Sequence, residues 1–285
     1  MAGCMTTQPA RPRTWESAEA AEIWRKGAAR RAQILGVATE RMLRAALLAP
    51  GMHVLDIAAG TGDQSLLAAR IVGPNGSVLA NDISATMLRA AEDAAREAGL
   101  TTITTRVADA SSIDLPPSEF DAAICRFGLM FVPDLHQALT RIRAALKPDA
   151  RFAALVWSTE ARNPWMGLQI GLLREMERMP TSPPPSILRT LSLSEAGQLD
   201  GAFREAGFLQ VQSELVQTPR QFGSIAETMQ AMWSISPAQG DLTRELDDAE
   251  RERYATELEA RLRAYSHADG SVSIPGEAIL IVGTR

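Results

Sequence analysis

Cysteine is nearly missing: the 285 residues hold only Cys4 and Cys125. Cys4 falls in a polar leader and Cys125 in an apolar run that reads as a buried strand, so no disulfide framework is expected and a reducing cytoplasm fits. Histidine is scarce and scattered (His53, His136, His267), and no CxxC or HExxH pattern occurs, so no metal site is expected. Only Lys26 and Lys147 are lysines among 29 basic residues, a compositional bias with no functional signal of its own. No apolar run approaches the roughly 20 residues of a membrane span. The opening MAGCMTTQPARPRT lacks the apolar centre of a signal peptide and reads as a disordered leader over 1–14. Charge of one sign is also lacking: the net charge is −5 with acids and bases interspersed, which argues against a nucleic-acid partner. The expectation is a soluble cytoplasmic protein without metal or membrane span; a homodimer stays open as its assembly.

What is present is a change of rhythm. Trp15 to Leu48 places apolar residues at helical spacing, and Gly27 and Gly36 divide the segment into N-terminal cap helices over 15–49. From residue 50 to 157, strands alternate with helices. The strands are HVLDIA, SVLAND, TITTRVAD, DAAICRF and RFAALVW, with helices from Asp63, Ser84 and Asp134 between them. That alternation predicts a parallel sheet covered on both faces, with every strand-end loop on one edge. Ligands bind at that edge. Residues 158–193, which include the prolines 183–185, read as a cap insertion. A helix from Ser194 to about Ala206 and a strand FLQVQSELVQT form a core segment over 194–217. Residues 218–270 read as cap helices with Glu257–Arg261 and Glu259–Arg263 pairs, and 271–285 holds the final strand, EAILIVGT.

The chemistry gathers at the strand ends. VLDIAAGTGDQ ends a buried strand in Asp56 and follows it with small residues, so backbone N–H groups lie open to a ligand. Asp82 ends the second strand about twenty residues beyond that loop, where an acid accepts hydrogen bonds from ribose hydroxyls. Asp109 ends the third, beside the position of an adenine ring. A dinucleotide fingerprint wants a third glycine where this chain has Ser65, and it has acidic Asp63 and no basic residue in the loop. Pyrophosphate is therefore poorly served, and a cationic adenosyl ligand is better suited.

These motifs resemble the class I S-adenosylmethionine-dependent methyltransferases, and within them the ubiquinone/menaquinone-biosynthesis and natural-product branch. VLDIAAGTGDQ resembles the first motif, with Asp56, Ala58, Ala59, Gly60, Thr61 and Gly62; Ala58 stands where many members have glycine, a change expected to matter little. LANDISATMLRAA resembles the second, with Asp82 at the ribose, Ile83 beside the adenine and Met87 nearby. ADASSIDLP resembles the third, with Asp109 and Ala110 at the adenine, and FDAAICRFGLMF resembles the fourth. The resemblance is strong over 50–157 and weak elsewhere. It implies an α/β Rossmann-like, doubly wound seven-stranded sheet with the last strand antiparallel and a helical cap. It also implies S-adenosyl-L-methionine as cofactor, S-adenosyl-L-homocysteine as product, and in-line methyl transfer.

The resemblance places the end of the fourth strand at the sulfonium. Phe127 and Met130 are expected to wall the pocket there, and Arg126 to bind an acidic acceptor, the methionine carboxylate or a structural partner. CRFG at this point replaces the Asn/Asp-Pro-Pro-aromatic sequence of methyltransferases that act on nucleobase amines. The cap supplies Trp24, Trp165, Trp233 and several methionines, which suit an apolar pocket with adaptable walls. The expected acceptor is an apolar small molecule such as a quinone, phenol, polyketide or terpenoid, methylated at oxygen or carbon. His136 is the only histidine near the edge and the sole candidate base, although a surface position on its helix is favoured. Two competing readings remain: an NAD-dependent oxidoreductase, and a non-catalytic adenosylmethionine-binding subunit.

Overall fold

The structure, a computed structural model, describes residues 15–179, 181, 189–234, 243 and 245–285. The leader with Cys4 and the triple proline lie outside these residues. Two helices come first, α1 (Ala18–Lys26) and α2 (Ala28–Ala45). The alternating region follows as β1 (His53–Ile57), α3 (Asp63–Val72), β2 (Ser77–Asp82), α4 (Ala85–Glu97), β3 (Ile103–Val107), β4 (Phe120–Arg126), α5 (Leu135–Ala145) and β5 (Leu146–Trp157). The remainder is α6 (Pro164–Glu175), α7 (Gln198–Glu205), β6 (Leu209–Gln217), β7 (Arg220–Phe222), α8 (Ile225–Ser234), α9 (Asp248–Leu262), β8 (Val272–Ile274) and β9 (Glu277–Thr284).

Seven strands form one sheet in the order β3-β2-β1-β4-β5-β9-β6. β1 to β5 pair in parallel, while β9 runs antiparallel to both β5 and β6. Alternation along the strands fills two apolar layers, because successive side chains point to opposite faces. Leu55, Ile57, Phe152, Ala154 and Val156 pack with Leu139, Ile142 and Phe203 of α5 and α7 on one face. Val54, Ile124, Ala153 and Leu155 pack with Met42, Ala68 and Val72 of α2 and α3 on the other. Among the described residues, no helix is long and apolar enough to cross a membrane.

The cap has its own core. Trp165 and Leu172 of α6 meet Phe222, Met232, Tyr254, Leu258, Val272 and Ile274. Residues 218–270 are thus not helices alone: they hold β7, which pairs with β8 just beyond them as a separate antiparallel ribbon, and each strand is three residues long, too short to show a period in the sequence. The helix expected from Ser194 starts at Gln198, after Gly197 in the left-handed region at φ 78°. Arg263 pairs with Glu259 at 3.1 Å as expected, but Arg261 reaches across to Glu175 of α6 instead of Glu257.

The turn from β1 into α3 positions the site. Asp56 is fully buried and accepts from Gln64 Nε2 at 3.0 Å and from Ser65 Oγ, both in the first turn of α3. Its carboxylate ties the strand end to the helix start, and the chain between loops outward in left-handed conformations: Ala58 φ 54°, Gly60 φ 57° and Gly62 φ 85°. Gly62 also allows close packing, since a Cβ there would lie 2.9 Å from the Ala91 Cβ of α4. Ala58 is less innocent than its size suggests, because the left-handed region costs a non-glycine residue about 1 kcal/mol. Its methyl group occupies the space that a side chain at residue 128 would need: a Cβ on Gly128 would lie 2.3 Å from the Ala58 Cβ.

Two outcomes follow. Gly128→Ala is expected to lower stability by about 1–3 kcal/mol, the usual cost of overpacking. Adding Ala58→Gly removes the Ala58 Cβ contact and the backbone strain, leaving a Cβ on residue 128 at 3.0 Å from Cys125 Sγ, so the double variant should regain part of that loss in denaturant titration. Additive effects would show that the two residues do not compete for space. The second outcome concerns pH. Burial pushes the Asp56 carboxyl up to about 7, against the hydrogen bonds from Ser65 and Gln64. A raised folded pKa means that Asp56 favours folding most below its ordinary value, near 4, and that this contribution is lost as pH rises to about 7. The stability difference between wild type and Asp56→Asn should therefore shift against the wild type between pH 4 and 7 and flatten above. A difference independent of pH would contradict this.

Candidate active site

The ends of β1 to β4 open into a cavity of about 390 Å³. Its sheet-edge wall comprises Ala58 to Thr61, Asp63, Gln64, Asn81 to Ile83, Ala108 to Ala110 and Arg126 to Gly128. Trp15, Trp24, Arg31, Ile34, Leu35 and Met87 add a second wall from the N-terminal segment, α2 and α4. Trp157, Trp165, Met166, Gln169, Ile170, Leu191 and Arg220 close the cap side.

Each strand end presents a defined group. Asp82 accepts from the Gly60 N–H at 2.9 Å through Oδ2 and from the Ser84 N–H at 2.8 Å through Oδ1. Burial raises its carboxyl above the usual range, and these backbone bonds oppose the rise. Each oxygen keeps lone-pair capacity for a further donor such as a hydroxyl. Asp109 accepts through Oδ1 from the Ser111 N–H at 2.8 Å and Ser111 Oγ at 2.7 Å. Among the described residues, its Oδ2 accepts no hydrogen bond, which leaves an open acceptor beside Ala108 and Ala110.

Charge in the loop differs from the sequence expectation. Asp63 does not stand as a bare acid: Arg31 binds it through Nε at 2.9 Å and Nη2 at 3.2 Å, and Arg126 through Nη2 at 3.0 Å. Burial acts to raise the Asp63 carboxyl, but the two guanidiniums outweigh it and hold it below its usual range. Arg126 also donates to Thr39 Oγ1 at 3.1 Å. Two cations around one carboxylate leave one net positive charge at the cavity wall, complementary to a carboxylate. Arg126 therefore combines the structural ion pair with a place on the cavity. Arg31 escaped sequence reading because it lies on a helix outside the motifs, 32 positions from its partner.

The N-terminal segment is fastened over this edge. Ser84 Oγ donates to the Trp15 carbonyl at 2.7 Å and Thr86 Oγ1 to that of Glu16 at 3.1 Å. Trp15 and Trp24 pack with Met87, and the Trp15 ring lies 5.3 Å from Phe131. Phe127 adopts φ 56°, a costly conformation for an aromatic residue, and its ring stacks on Trp157 at 4.0 Å.

Most of the expected site residues converge here: Ala58, Ala59, Gly60, Thr61, Asp82, Ile83, Met87, Asp109, Ala110, Arg126, Phe127, Trp24 and Trp165 all line the cavity. Four do not. Asp56 turns its carboxylate towards α3, and Gly62 packs on α4. Met130 is 1% exposed in the core under α5, not on the pocket wall. His136 is exposed on α5 and away from the cavity. The side chain of Trp233 lies outside the described residues. Cys125, although close in sequence, is fully buried, and burial pushes its thiol up to about 12.

Residues 54–149 match the family described as "Methyltransferase domain". The ubiquinone/menaquinone biosynthesis C-methyltransferase UbiE of Bordetella parapertussis is 35% identical over 138 residues, 44% of this chain and 53% of that protein. The 2-phytyl-1,4-naphtoquinone methyltransferase of Synechococcus elongatus is 40% identical over 107 residues, 37% of this chain and 46% of that protein. The chain thus spans about half the length of the curated relatives it matches. In fold it is similar to a SAM-dependent methyltransferase from Aquifex aeolicus, with TM-score 0.53 and 21% identity over 70% of this chain and 92% of that one. Residues 54–149 are thus a methyltransferase domain, and the motifs at the strand ends and the antiparallel strand β9 are similar to those of the class I S-adenosylmethionine-dependent methyltransferases.

Proposed function

We propose that the protein transfers the methyl group of S-adenosylmethionine to an oxygen or carbon of an apolar small molecule held between the sheet edge and the cap. The observation that carries this reading is the cavity, in which a ribose acceptor (Asp82), an amine acceptor (Asp109) and a cationic pair (Arg31, Arg126) share one apolar chamber. The fit to the cofactor rests on those groups. Asp82 retains acceptor capacity for the ribose diol, Asp109 Oδ2 for the adenine amine, and the Arg31–Asp63–Arg126 cluster offers net positive charge to the methionine carboxylate. The cofactor, when bound, supplies an electrophilic methyl group.

What the chain itself does is align and dry the site. Phe127 and Trp157 form a stacked wall next to the end of β4, and Trp15 and Trp24 close the side towards α4. Such walls hold an acceptor in line and exclude water, the main contributions to a displacement that disperses charge. No histidine lines the cavity among the described residues, and its carboxylates are committed to binding. The acceptor therefore brings its own ionised oxygen or carbon nucleophile, without a general base from the wall. The two curated relatives are named for methylation of quinones, which supports a flat apolar acceptor. The oxidoreductase reading loses its remaining support in Ser65: where a dinucleotide site needs glycine, this hydroxyl is buried and spent on Asp56.

Calorimetry tests the proposal. S-adenosylhomocysteine should bind and NAD should not. Asp82→Ala should weaken S-adenosylhomocysteine by about 2 kcal/mol, the scale of hydrogen bonds to a charged group. Unchanged affinity in that variant would remove Asp82 from the site, and binding of NAD alone would reverse the assignment.

A further inference from the structure

Arg220 opens β7, far in sequence from every strand-end motif, yet it lines the same cavity on the cap side. Its residue is only 6% exposed. The guanidinium carbon lies 5.2 Å from the centre of the Trp157 ring and 5.1 Å from that of Trp165. Among the described residues it makes no ion pair and no hydrogen bond, and its Nη1 is buried without a partner. The contrast with Arg31 and Arg126 is plain, since both share the Asp63 carboxylate. A buried carboxylate does exist at the start of β9, Glu277, but Ser158 Oγ at 2.9 Å and Gln217 Nε2 at 2.8 Å take it up. Burial lowers the Arg220 pKa to about 10, so the side chain is still a cation at neutral pH.

A desolvated cation held only by ring faces is incomplete. Its surroundings say what completes it. Phe127 stacks on Trp157 at 4.0 Å and Trp165 on Phe222 at 5.5 Å, with interplanar angles of 15° and 10°, so the cap side of the cavity is built of flat apolar surfaces. The guanidinium stands between the two indoles, and its planar donor fork matches the two oxygens of a carboxylate.

The geometry points to Arg220 as an acceptor-recognition residue: the methyl acceptor is a planar apolar molecule that carries a carboxylate, and that carboxylate pairs with Arg220. The assignment rests on the reading of this cavity as a methyl-transfer site and specifies what enters from the cap side. It explains why a lone cation is kept among tryptophans where a neutral residue would be cheaper.

The test uses two probes of one shape, 2-naphthoate and its uncharged amide, 2-naphthamide, titrated into the full chain saturated with S-adenosylhomocysteine and followed by tryptophan quenching. Wild type should bind naphthoate at least about tenfold more tightly than naphthamide, the range of a charge-assisted pair. Arg220→Met should abolish that preference while leaving naphthamide and S-adenosylhomocysteine affinities unchanged. Equal affinity for the two probes in wild type, absence of naphthoate binding, or a preference that survives in Arg220→Met would overturn the assignment. Should the methionine variant fail to fold, Arg220→Lys decides. Selective weakening of naphthoate supports the pairing, and equal weakening of both probes refutes it. Failure of S-adenosylhomocysteine to bind wild type would instead refute the methyl-transfer reading, and the naphthoate preference is then measured without it.

Discussion

The buried carboxylate of Asp56, tied to the first turn of α3, is the constraint on which the site depends. A charge-bearing group in the core is costly, and here burial outweighs the hydrogen bonds from Ser65 and Gln64 and moves its titration to about 7. What it secures is the angle at which β1 passes into α3. With strand and helix joined through Gln64 and Ser65, the intervening residues have to loop outward in left-handed conformations. That loop carries the Gly60 N–H to Asp82, and Asp82 in turn holds the N–H of Ser84, the residue that caps α4 and fastens the Trp15 segment. One buried acid thus starts a relay from strand end to loop to the N-terminal segment.

Charge is distributed unevenly around the cavity, and the unevenness is informative. In the cluster Arg31–Asp63–Arg126 both arginines pair with one carboxylate, which leaves one surplus positive charge beside the glycine loop and the Arg31 Nη1 without a hydrogen-bond partner. The acids Asp82 and Asp109 face the neighbouring strand ends. On the cap side the polar groups thin out and tryptophans take over, with Arg220 as the uncompensated exception. A polar, hydrogen-bonding half and an apolar half suit the proposed methyl transfer without a wall-supplied base.

Much of this was legible in the sequence, for identifiable reasons. The parallel strands announced themselves by short apolar runs closed by Asp56, Asp82 and Asp109, and the helices by caps such as Ser84 and Asp134, whose side chains accept from the third residue onward. The strand-end position of Asp56 was visible, but its direction was not: only packing shows that the carboxylate turns to α3 and away from the cavity. The same holds for Met130, one residue among several apolar ones, whose side depends on a single turn of 3-10 helix after Gly128. Asp63 looked like a bare acid because both of its arginines are remote in sequence. Arg220 was invisible because a three-residue strand has no period, and because the meaning of an arginine lies in which carboxylate it lacks.

The central claim is that the four strand ends hold S-adenosylmethionine and direct its methyl group towards the cap. A crystal structure with S-adenosylhomocysteine tests it most directly. The account predicts the ribose hydroxyls on Asp82, the adenine amine on Asp109, the homocysteine carboxylate at Arg31 and Arg126, and the sulfur facing the Phe127–Trp157 wall. A ligand bound with its adenine against Arg31 and Arg126, or outside this cavity, would contradict it.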